Sequence, residues 1–196
     1  MIRILIVIIA CAFLNQSTAQ ESFLTPFERD NNHTATYDEM IAFYMDLAEQ
    51  SPIVHLKEVG TTDIGKPLHL VIVSNALSPN PLSEREKGKA IVLVNNAIHP
   101  GEPCGVDASM MLVRDFVTGK IDANQLNKYT LLIIPAYNIG GMLNRNSYSR
   151  ANQNGPESYG FRGNAQNLDL NRDFMKSDSK NARSLQGVFA DWRPHV

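Results

Sequence analysis

Two continuous apolar segments on either side of a helical pattern limit the folds open to this chain. Residues 90–94 and 129–135 lack the polar alternation of a half-exposed strand, so they are typical of strands covered on both faces of a sheet. Between them, residues 106–117 place apolar side chains at helical spacing. The order strand, helix, strand indicates an α/β protein.

The preceding residues add a helix and two more strands. Thr36 and Glu39 form a capping-box pattern at the start of an amphipathic helix that ends before Ser51. Residues 53–59 and 67–74 are rich in Val, Ile and Leu and predict two strands joined like a hairpin. We therefore predict an α/β fold with a mixed, mostly parallel twisted sheet and helices on both faces, incomplete at the C-terminus. The polar residues 77–89 predict a solvated loop.

The N-terminus has the pattern of a secretory signal peptide. Arg3 is followed by an apolar run over residues 4–14 and by small residues up to Ala19, which predicts a signal peptide over residues 1–19 and a single domain over residues 20–196. The alternative is a lipoprotein lipidated at Cys11. The apolar run is too short to span a bilayer core of about 30 Å, so we expect a secreted or periplasmic protein without a transmembrane span.

The charge balance excludes one large class of partners. Eighteen Lys and Arg residues oppose twenty Asp and Glu residues, which gives a formal charge of 18 − 20 = −2. Binding to nucleic acid depends on a cationic surplus that this chain lacks. We expect no nucleic-acid partner, and we expect a monomer.

The first candidate for chemistry is a turn that follows the apolar segment 90–94. His99 and Glu102 stand three positions apart across Pro-Gly, where the carboxyl end of a strand places functional groups in α/β proteins. One imidazole nitrogen and one carboxylate suit Zn²⁺ with an open position. The alternative is an ordinary exposed turn. Cys104, two residues on, is either a further thiolate ligand or a small packed residue.

A second candidate lies in the long polar stretch 138–173, which is dense in Asn, Gly, Ser and Arg. Such a stretch inside a compact domain is uncommon unless it builds a site. Its arginines, among them Arg162 and Arg172, could bind a carboxylate with two hydrogen bonds or stabilise an oxyanion. The alternative is a set of surface arginines paired with Asp169 and Asp173.

Together the two regions resemble the zinc carboxypeptidases of the carboxypeptidase A and E type. Residues 99–102 (HPGE) resemble the HxxE zinc motif of that family, and residues 169–174 (DLNRDF) resemble its DLNR substrate motif. The resemblance extends over residues 34–194 and implies the fold of that family. It also implies a Zn²⁺ cofactor and, as substrate, the C-terminus of a peptide or protein.

The resemblance implies a role for each matching residue. His99 and Glu102 would be the first two zinc ligands, and Asn171 and Arg172 would hold the free carboxylate of the substrate. Arg162 would bind substrate and act catalytically by polarising the scissile carbonyl. Arg150 is the rival for that role.

Two parts of the family pattern are absent. A third ligand, a later His, and a Glu general base cannot be identified, because His195 is the sole histidine after Arg172 and no Glu follows Glu157. We interpret His195 as a structural residue at the entrance to the strand that carries the third ligand. We therefore expect this chain to be the N-terminal part of a longer catalytic domain, and to be inactive alone.

Two other functions stay open. One is a zinc amidoacylase similar to the succinylglutamate desuccinylase and aspartoacylase group, which uses a related HxxE element. The other is a secreted binding protein that kept a carboxylate pocket and lost catalysis.

Overall fold

The computed structural model describes residues 23–196, so the predicted signal peptide and the alternative at Cys11 lie outside the described residues. The described part contains four strands, six α-helices and two short 3-10 helices at 123–127 and 170–172. The strands are β1 Val54–Thr61, β2 Pro67–Val73, β3 Ala90–Asn95 and β4 Tyr129–Ile134. The helices are α1 Pro26–Arg29, α2 Tyr37–Gln50, α3 Pro81–Glu86, α4 Cys104–Val117, α5 Ile139–Leu143 and α6 Lys180–Trp192.

The four strands form one mixed sheet in the order β1-β2-β4-β3. The β1–β2 and β2–β4 pairs are antiparallel, and β3 runs parallel to β4 with Val92 opposite Leu131. The predicted mixed α/β sheet is confirmed. The description "mostly parallel" fits it only loosely, because the β1–β2 hairpin places an antiparallel strand against β4.

Helices cover the sheet on both faces, as predicted. On one face, alternate residues of β2 and β4 such as Val71 and Ile133 pack in a core that includes residues of α2 and α4. On the opposite face, Ile72 and Leu132 pack with Leu185 and Trp192 of α6. Residues on both sides of the same strand are therefore buried, which explains why β4 reads as an unbroken apolar run.

The helix predicted from the capping box is α2. The Thr36 side chain accepts a hydrogen bond from the backbone N–H of Glu39, and the Glu39 carboxylate accepts one from the N–H of Thr36. The apolar face of α2, which includes Met40 and Leu47, is fully buried. The capping box and the helical spacing of the apolar residues thus agree with the observed packing of α2.

The prediction of a solvated loop over residues 77–89 is wrong for its centre. This segment contains α3, and Glu84 on that helix is fully buried. The Glu84 carboxylate accepts hydrogen bonds from Ser74 Oγ at 2.7 Å, Thr130 Oγ1 at 2.6 Å and Lys89 Nζ at 2.8 Å. The polar composition of this segment does not indicate the buried ion pair between Glu84 and Lys89. That pair holds α3 against the sheet.

The C-terminal residues lie beside β3. The backbone N–H of His195 donates to the carbonyl of Ile91 at 2.8 Å, and the N–H of Leu93 donates to the carbonyl of Val196 at 2.8 Å. His195 Nδ1 also accepts from the N–H of Ile91 at 2.9 Å. His195 thus has the structural role expected of it. None of the helices within residues 23–196 is long and apolar enough to cross a membrane.

Candidate metal and substrate site

The first part of the site is the turn between β3 and α4. It leaves the sheet at Asn95, passes through Ala97 in the left-handed region at φ 53°, and enters α4 at Cys104. The N–H of Glu102 donates to the carbonyl of His99 at 2.9 Å, which closes the turn. Since a left-handed φ is unfavourable for alanine, surrounding structure must hold this turn in place. Buried elements at both ends, β3 and α4, provide that support.

His99 and Glu102 face each other across the turn. Nδ1 of His99 lies 3.6 Å from Oε1 of Glu102. Zinc binds nitrogen and oxygen ligands at about 2.0–2.2 Å, so two donor atoms at this separation can contact a single ion. The His99 side chain is 9% exposed and that of Glu102 is 52% exposed, which leaves the carboxylate accessible from solvent.

Asp169 fixes the other nitrogen of the imidazole. Its Oδ1 lies 3.0 Å from His99 Nε2, and its Oδ2 accepts from Nε and a terminal nitrogen of Arg162 at 3.1 and 2.9 Å. Burial raises the pKa of Asp169, but the hydrogen bonds from His99, Arg162 and the N–H of Asn171 outweigh it and lower the pKa to about 2. Because an ionised carboxylate only accepts hydrogen bonds, Nε2 is the donor to Asp169, and in the neutral imidazole this leaves Nδ1 without a proton.

Two arginines border the turn. One terminal nitrogen of Arg162 lies 3.4 Å from His99 Nδ1, while Arg150 forms an ion pair of 2.9 Å with Oε1 of Glu102. Both arginines line an open cleft of about 400 Å³. The alternative interpretation was a set of surface arginines paired with Asp169 and Asp173. It is correct in part, since Arg162 does pair with Asp169. Asp173 accepts instead from Ser179 at the start of α6.

Asn171 and Arg172 differ in how they are placed relative to His99 and Glu102. Asn171 lines a cavity of about 340 Å³ together with His99, Glu102 and the exposed Cys104. Arg172 is exposed, and its guanidinium donates to the carbonyl of Asn171 at 3.0 Å. The structure therefore brings His99, Glu102, Arg162 and Asn171 together and places Arg172 on the adjoining surface.

The donor set is a partial fit to zinc. His99 and Glu102 supply one nitrogen and one oxygen with suitable chemistry and separation, and Asp169 orients the imidazole from behind. A catalytic zinc normally has three protein ligands. Within residues 23–196, no group of three or more His, Cys, Asp or Glu side chains could hold a metal ion.

Sequence reasoning missed two features of the site. The sequence indicates Asp169 only as a partner of surface arginines or as the first residue of the DLNR motif, and it does not predict the hydrogen bond to His99. Its position at the head of the motif was the available signal. The sequence gives no indication of the ion pair between Arg150 and Glu102, because 48 residues separate the two.

Comparison with known proteins gives a consistent result. The family model described as zinc carboxypeptidase matches residues 40–190. Carboxypeptidase 2 of Trichophyton rubrum is 26% identical over 190 residues, covering 94% of this chain and 31% of that protein. Carboxypeptidase 2 of Trichophyton tonsurans is 27% identical over 120 residues, covering 61% of this chain and 20% of that protein. The chain thus spans less than a third of the length of these relatives.

Solved structures share the fold. A carboxypeptidase A from Helicoverpa armigera has a TM-score of 0.63 at 16% identity, covering 81% of this chain and 43% of that one. A metallo-carboxypeptidase from Burkholderia cenocepacia has a TM-score of 0.60 at 19% identity, covering 80% of this chain and 38% of that one. Both match the mixed sheet with helices on its two faces.

Proposed function

Because this chain belongs to the zinc carboxypeptidase family, we propose that the complete protein is a zinc metallocarboxypeptidase that removes C-terminal residues from peptides or proteins. The observation that carries the proposal is the convergence of His99 Nδ1 and Glu102 Oε1 at 3.6 Å, with Arg162 and Asn171 beside them. One arrangement thus combines metal donors with groups suited to bind a substrate carboxylate and to stabilise an oxyanion.

Each residue of the site has a chemical role in this proposal. His99 and Glu102 would hold the zinc ion, and Asp169 would favour the tautomer of the His99 imidazole that can bind metal. Arg162 donates to the scissile carbonyl oxygen as negative charge develops on it. Asn171 and Arg172 bind the free C-terminal carboxylate of the substrate. A zinc ion bound here would contribute a water of lowered pKa and a Lewis acid for the carbonyl oxygen.

In this proposal, the third ligand and the general base come from a part of the complete protein that this chain does not include. Support comes from the lengths of the relatives, since this chain covers 31% of carboxypeptidase 2 of Trichophyton rubrum. Without those two residues the 196-residue chain is expected to be inactive. A His within about ten residues after Val196 and a Glu further on would support the assignment.

The location of the protein is part of the proposal. The signal-peptide pattern of residues 1–19 favours a secreted or periplasmic enzyme that acts as a monomer on peptides or proteins outside the cytoplasm. N-terminal sequencing of the purified mature protein tests the cleavage after Ala19.

Metal content tests the ligand assignment. In the full-length protein, His99→Ala and Glu102→Ala should each remove stoichiometric zinc, while His55→Ala should retain it. His55 is a matched control because it lies on β1, where its Nε2 is 3.1 Å from the carbonyl oxygen of Ala76. One zinc per chain in both site variants would refute the assignment. Cleavage of N-acyl amino acids but not of peptide C-termini would instead favour an amidoacylase.

A further inference from the structure

We propose that Arg150 is a positioning residue that holds the Glu102 carboxylate in its metal-binding orientation and so raises the affinity of the site for zinc. The proposal rests on the function proposed above, in which Glu102 is a zinc ligand. It assigns to Arg150 a different task from that of Arg162, which contacts Asp169 and His99 instead.

One oxygen atom of the Glu102 carboxylate lies near both Arg150 and His99. Oε1 of Glu102 lies 2.9 Å from the Arg150 guanidinium and 3.6 Å from His99 Nδ1. A half-exposed glutamate on a turn would otherwise distribute among several rotamers. The ion pair keeps the carboxylate on the side of the imidazole, where a metal ion would meet both donors.

The chain makes room for Arg150 at this place. A Cβ added to Gly101 would lie 2.7 Å from Cδ of Arg150 and 3.0 Å from the carbonyl oxygen of Gly160. The arginine side chain therefore crosses directly over a residue without a side chain. The N–H of Gly160 also donates to the carbonyl of Pro100 at 3.3 Å, which ties the polar segment to the turn. The absence of a side chain at Gly101 thus lets Arg150 reach Glu102.

The ion pair and metal binding are compatible. An ionised carboxylate has about four acceptor positions on its two oxygens, and one guanidinium contact leaves the others for a metal. Groups that hydrogen-bond to a metal ligand typically change metal affinity by about 10–100-fold when removed. The positive charge of Arg150 works in the opposite direction by repelling a cation. Here the gain from orienting the carboxylate outweighs this repulsion.

The test measures zinc affinity of the full-length protein by competition with a chelator. Arg150→Gln should weaken zinc binding about tenfold, and Arg150→Lys should recover part of the loss because it restores the charge. Arg183→Gln is the control, since Arg183 is exposed and its guanidinium donates to the carbonyls of Ser177 and Asp178, away from the candidate site. The melting temperature of the metal-free protein should be equal in all these variants.

A double-mutant cycle separates positioning from a general structural effect. In a Glu102→Gln background, Arg150→Gln should cause no further loss of zinc affinity, because Arg150 acts through that carboxylate. Unchanged or tighter zinc binding by Arg150→Gln would overturn the proposal, as would equal losses in both backgrounds. If His99→Ala still abolishes binding in that case, the ligand assignment survives and the role of Arg150 alone is refuted.

Discussion

Asp169 Oδ1 lies 3.0 Å from His99 Nε2, although 70 residues separate the two in the chain. This hydrogen bond joins the turn after β3 to the 3-10 helix of residues 170–172, and so connects the metal-binding half of the candidate site with its substrate-binding half. Because the same carboxylate also binds Arg162, a single side chain sets the orientation of two functional groups.

Substitution of Asp169 should weaken metal binding more than it lowers the stability of the fold. Asp169→Asn keeps the shape of the side chain but removes the charge that fixes the His99 tautomer, so zinc affinity of the full-length protein should fall about 10–100-fold. Chelator competition measures the change. The matched control is Asp178→Asn, since Asp178 is exposed and pairs with Lys176 at 3.0 Å. Equal affinities for the Asp169 variant and the wild type would contradict this role.

Substitution of Glu84 should lower the stability of the fold and leave the candidate metal and substrate site unchanged. Glu84→Gln removes the buried partner of Lys89 and should lower the free energy of unfolding by about 3 kcal/mol, because an uncompensated buried cation remains. Urea denaturation measures the loss. Glu86→Gln on the same helix changes an exposed side chain and should alter stability by less than about 0.5 kcal/mol. Similar losses in the two variants would show that the buried pair contributes nothing particular.

The same carboxylate should contribute to acid sensitivity. Burial raises the pKa of Glu84, but the hydrogen bonds from Lys89, Thr130 and Ser74 outweigh it and lower the pKa from 4.5 to about 2. A folded-state pKa below the unfolded value means that the stabilisation is complete above pH 4.5 and is lost as the pH falls toward 2. Urea midpoints at pH 7 and pH 3 should therefore differ more in the wild type than in Glu84→Gln. A parallel decline in both proteins would count against this explanation.

Local patterns were sufficient for the parts of the fold in which neighbours in sequence are also neighbours in space. The capping box at Thr36 and the apolar run of β4 each contained their own structural signal. The segment around Glu84 did not, because its burial depends on Lys89 and Thr130, and the latter comes from a distant strand. Composition describes how polar a segment is, whereas burial depends on what packs against it.

The candidate site divides in the same way. His99 and Glu102 could be proposed from spacing and from their place after a buried strand, and the polar stretch around Arg162 from its length and composition. Which partner each arginine takes could not be predicted, because Arg150 and Arg162 are both long side chains near the same pair of donors. In the structure Arg150 passes over Gly101 and pairs with Glu102, whereas Arg162 pairs with Asp169.

The short connection between β3 and α4 has a consequence for how such a protein can change over time. Its two ends are anchored in separate cores, by Ile91 in one and by Val106 in the other. The polar region that faces it contains no helix or strand between residues 144 and 169, all of which the structure describes, apart from an isolated bridge between Asn146 and Tyr159. Substitutions at residues 149–153 can therefore reshape the cleft that Arg150 and Arg162 line, while the two cores keep the turn with His99 and Glu102 in place.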